Sequence, residues 1–83
     1  MKRILVVARH NQAEALRVAA GLTLLSDPVS VVVVGRLASS PAIEEQRELL
    51  DFAEVPCEEC PDGAGLHERL APAMLAADAV YVI

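Results

Sequence analysis

The chain has 83 residues, room for one domain, and its seven basic against twelve acidic side chains leave a net charge of −5. The basic residues are scattered, and one Phe, one Tyr and no Trp leave no stacking platform, so no nucleic-acid partner is expected. Hydrophobic residues make up 54% and mean hydropathy is +0.41, more aliphatic surface than so small a core hides, which predicts a homo-oligomer.

Ile4 to Ala8 is an unbroken aliphatic run, the pattern of a strand buried on both faces in a parallel sheet. Arg9 and His10 close it, too early for the apolar region of a signal peptide. No stretch approaches the roughly 18 apolar residues of a membrane span. A cytoplasmic protein without membrane contact is expected, in which two cysteines are thiols or ligands rather than a disulfide.

Asn11 is a helix N-cap, with Glu14 placed to complete a capping box. Ala15, Val18, Leu22 and Leu25 then recur at helical spacing, until Ser26-Asp27-Pro28 stops the helix. Val29 to Val34 is a β-branched central strand ended by Gly35. Ser40 and Pro41 open a second helix that ends near Phe52 or Ala53.

Glu54-Val55-Pro56 reads as a short third strand delivering Cys57 at its end, and Pro61 to Gly65 as a loop. Leu66 to Ala77 is helical in composition, with Pro72 predicting a kink or a division into two short helices. Ala79 to Ile83 is a closing strand.

The predicted order is β-α-β-α-β-α-β over residues 1–83. That is an α/β domain with a mainly parallel four-stranded sheet and helices on both faces, a flavodoxin-like three-layer fold. In such sheets, ligands gather at the carboxyl ends of the strands. His10, Gly35-Arg36 and Cys57 all fall there on this reading.

Cys57-Glu58-Glu59-Cys60 is the one chemically pointed motif. A thiolate is the nucleophile of sulfur transfer and disulfide exchange. Against a dithiol oxidoreductase, the intervening glutamates raise a thiol pKa and no helix begins at the first cysteine. Two unreactive loop cysteines are the plain alternative. A metal reading adds His67 and His10 to the two cysteines, but the spacing matches no standard zinc finger. His10 is placed to relay a proton or simply to occupy a loop, and Arg36 to pair with an anion or stand in solvent. No G-x-G-x-x-G and no P-loop is present, so no nucleotide cofactor is expected.

Three stretches resemble the DsrE-like family of small sulfur-relay proteins. They are Arg3-Ile4-Leu5-Val6-Val7 through Glu14-Ala15-Leu16-Arg17-Val18-Ala19, Leu49 through Cys57, and Ala76-Ala77-Asp78-Ala79-Val80-Tyr81-Val82-Ile83. The resemblance implies a compact α/β fold, oligomers, and sulfane sulfur carried as a persulfide on Cys57 between a donor and an acceptor protein. It gives Cys60 an assisting or resolving role. Family members without the reactive cysteine serve as oligomer partners, so the resemblance also implies a non-catalytic alternative.

Overall fold

Each aliphatic run becomes a strand of one sheet in the computed structural model, which describes residues 2–83. The elements are β1 (Ile4–Ala8), α1 (Gln12–Leu22), β2 (Val29–Val34), α2 (Pro41–Phe52), β3 (Cys57–Cys60), α3 (Leu66–Ala76) and β4 (Ala79–Val82). The sheet order is β3-β2-β1-β4, and every neighbouring pair is parallel. The expected α/β architecture is therefore present.

Alternation along the strands splits the interior into two layers. Ile4, Val6 and Ala8 of β1, with Val29, Val31 and Val33 of β2, pack with Ala15, Leu16 and Ala19 of α1 and Ile43 and Leu50 of α2. Leu5, Val7 and Val34 point the other way, onto Leu66 and Leu70 of α3. Both faces of β1 are buried along its whole length, which is why its sequence shows no polar alternation.

Two helices start as their caps dictate. The Asn11 side chain accepts the Glu14 N–H at 3.1 Å, and Ser40 Oγ accepts the Ile43 N–H at 3.3 Å with Pro41 in the first turn. The capping box at Asn11 is only half made. Glu14 pairs instead with Arg17, and the Asn11 N–H donates to the Ile83 carbonyl at 3.3 Å. The first helix also stops at Leu22 rather than reaching Leu25, which lies in the following turn. Pro72 does not divide the third helix: α3 is one element with the proline inside it.

The third strand lies later than expected. Glu54-Val55-Pro56 is a helix terminator rather than a strand: the Val55 N–H donates to Leu50 C=O at 2.9 Å and the Glu54 N–H to Asp51 C=O at 3.1 Å. This paired closure needs one residue in the left-handed region, and Glu54 adopts it with φ 60°. Val55 and Leu50 are both buried beneath the closure. Strand β3 begins at Cys57, where the turn releases the chain.

Candidate functional site

The register between β2 and β3 fixes both thiols. Cys57 stands opposite Val31 and Cys60 opposite Val34, while the Val31 N–H donates to the Pro56 carbonyl at 2.8 Å. Cys57 is therefore the first residue of its strand, not the last. It sits about 10 Å short of the carboxyl rim, at about 3.3 Å per residue. The placement expected from sequence is corrected here: the three residues read as the strand are spent closing α2.

Cys60 is the cysteine that reaches the carboxyl rim, and it arrives buried. Its residue is 6% exposed and packs with Leu66 and Leu70 of α3. Cys57 is half-buried and packs on the opposite face, against the layer under α1 and α2. Both cysteines are free. An odd separation along a strand sends two side chains to opposite faces, so these sulfurs cannot bridge without rebuilding β3.

Burial pushes the Cys57 thiol above its ordinary pKa of 9.0; Arg47 opposes the shift, and Asp51 and Glu59 add to it. At neutral pH the thiol form dominates. The environment thus works against a nucleophilic thiolate.

His10 is exposed in the turn after β1. The intervening strand β2 separates β1 from β3, so His10 is offset from the line of β3 by two strand spacings, about 10 Å, and lies farther still from Cys57, which sits below the rim. Arg36 is exposed just beyond β2, next to the Gly35 N–H that donates to the Cys60 carbonyl at 2.7 Å. His67 is exposed on α3. Among the described residues, no group of three or more His, Cys, Asp or Glu is arranged to hold a metal ion. The four expected site residues are not gathered in one place.

Two other residues organise the carboxyl rim. Gln12 donates from Nε2 to the Arg36 carbonyl and accepts the Ala38 N–H, both at 2.7 Å. Glu59 accepts the Leu37 N–H at 2.6 Å. Together they tie down the connection between β2 and α2. On the other side, the Ile83 carbonyl takes the N–H groups of Arg9 and His10 at 2.8 and 2.9 Å. The backbone N–H groups of Arg9, His10 and Asn11, just before α1, and that of Glu14 in its first turn are spent within the chain. Sequence reading missed Gln12 because a first-turn glutamine carries no motif; only the sheet order brings the second connection beside it.

In comparisons with known proteins, no family model matches this chain and no curated protein is similar to it. The likeness to DsrE-like proteins rests on the three stretches alone. No helix among the described residues is long and apolar enough to cross a membrane.

Proposed function

We propose that the chain is a non-catalytic, self-associating α/β subunit whose two cysteines are packing residues. The observation that carries this reading is the division of the thiols between the two faces of β3, with the rim thiol sealed beneath α3. Neither a resolving pair nor a rim nucleophile is available in that arrangement. At the carboxyl rim the β2–α2 connection and the turn before α1 are tied by their own hydrogen bonds, and large apolar side chains stand exposed elsewhere, Leu24, Phe52 and Leu75 among them. Such side chains favour a protein contact.

Sulfur carriage on Cys57 is the rival reading. It draws on a thiol that is half accessible on an edge strand, with Arg47 favouring its charged form. It requires Cys57 to act alone, against burial and two carboxylates.

Sedimentation velocity of the wild type, Cys57→Ser and Cys60→Ala tests the proposal. The expected result is one assembled species, larger than a monomer, for all three proteins. A wild type that stays monomeric at every concentration, or an assembly lost with Cys57→Ser, contradicts it.

A further inference from the structure

In a parallel sheet each crossover helix runs back against the strands, so α1, α2 and α3 all end at the rim where the strands begin. The three helix ends meet there around one cleft of about 500 Å³. Its walls include Thr23 and Pro28 after α1, Ala53 after α2, and Ala73 and Ala76 on α3. The walls are mostly apolar, and Arg3, Asp27 and Glu54 add charged groups to them.

Exposed apolar side chains adjoin these walls in sequence. Leu24 follows Thr23, Phe52 precedes Ala53 and Leu75 precedes Ala76; they are 88%, 91% and 87% exposed. Leu25, Leu49 and Met74 belong to the same helix ends, so that among the described residues Tyr81 and Val82 are the only exposed large hydrophobics elsewhere. Apolar exposure is concentrated at the rim opposite the one where α/β ligands usually bind.

We propose that this rim is a twofold contact between two copies of the chain, in which Phe52 of each copy enters the cleft of the other. The proposal rests on the self-association reading and adds its surface and its anchor. A twofold contact requires knob and hole on one surface of one chain, and this rim carries both. A ring that is 91% exposed beside a mostly apolar cleft is the expected form of an aromatic anchor. The exposed helix-end side chains offer about 450 Å² of apolar area. One side of an ordinary homodimer contact buries roughly 500 Å² of apolar surface.

Charge agrees with a second copy. Lys2 and Arg3 precede β1, while Asp27, Glu54 and Asp78 precede the other strands, so the rim bears both signs. A twofold axis can set Arg3 against the partner's Glu54. An anionic bilayer meets an excess of carboxylates there instead.

Sedimentation equilibrium of the full chain decides the matter, with Phe52→Ser, Phe52→Leu and Tyr81→Lys beside the wild type. Phe52→Ser is expected to weaken dimerisation at least about 30-fold, and Phe52→Leu to weaken it less. Both should keep the wild-type circular dichroism, and should match its melting temperature at concentrations low enough for the wild type to be monomeric, because the ring packs against little in the monomer. Tyr81→Lys should dimerise like the wild type. If Phe52→Ser dimerises normally while Tyr81→Lys does not, the rim contact is overturned and self-association stands. A monomeric wild type at all concentrations overturns both. Co-sedimentation of wild-type monomer with phosphatidylcholine vesicles assigns the rim to lipid and overturns the second copy as its occupant.

Discussion

Cys57 and Cys60 lie three residues apart on one strand, yet their side chains enter different layers of the core, Cys57 under α1 and α2 and Cys60 under α3. The sheet itself stands between the two sulfurs. From this separation follow distinct chemical and energetic behaviours for two residues that look equivalent in the motif.

Reactivity should differ between the thiols and depend on pH in a set direction. Iodoacetamide should label Cys57 more slowly than free cysteine near neutral pH and leave Cys60 untouched in the folded protein. Labelling of Cys57 should accelerate as pH climbs past 9.0, because its folded pKa lies above that value. The raised pKa also means that the thiol form favours folding. That contribution is complete below the unfolded pKa and is lost as pH rises through the folded one. Alkaline destabilisation should accordingly be shallower in Cys57→Ser than in the wild type, as read by urea midpoints. Equal labelling of both thiols at neutral pH would contradict the placement.

Substitution to serine separates the same two positions by stability. Cys60→Ser places a hydroxyl among Leu66, Leu70 and Val34, and should cost about 1–3 kcal/mol in urea unfolding. At Cys57 the new hydroxyl reaches solvent, so the cost should stay below about 1 kcal/mol. A reversed order would mean that the face assignment of β3 is wrong.

Glu54 holds a backbone conformation that disfavours any side chain, with φ 60° at the end of α2. Glycine is the usual occupant of this position in the same closure. Glu54→Gly should therefore raise stability by about 1 kcal/mol, measured as a higher urea midpoint at unchanged slope. Glu54→Ala should give no comparable gain. Destabilisation by Glu54→Gly would show that the glutamate side chain contributes more than its backbone strain costs.

Glu54 also explains what the sequence could and could not reveal. Pure aliphatic runs made β1 and β2 plain, and Asn11 and Ser40 marked the first two helix starts through their own side-chain bonds. The end of α2 carries a glutamate where glycine would have announced a left-handed turn, so Val55 and Pro56 passed for a strand. That shift of a few residues moved Cys57 from the middle of the fold to its rim and created the site read from the motif. The contacts of Gln12 and Glu59 were illegible for another reason, since they depend on which connections the sheet order makes neighbours. The amino-rim cleft, likewise, exists only once three helix ends converge.

Intact mass under non-reducing conditions, after incubation with a sulfane-sulfur donor, bears most directly on whether these thiols are packing residues. Wild type and Cys57→Ser should both keep their original masses. A gain of one sulfur atom on the wild type that Cys57→Ser abolishes would make Cys57 a carrier and contradict the account.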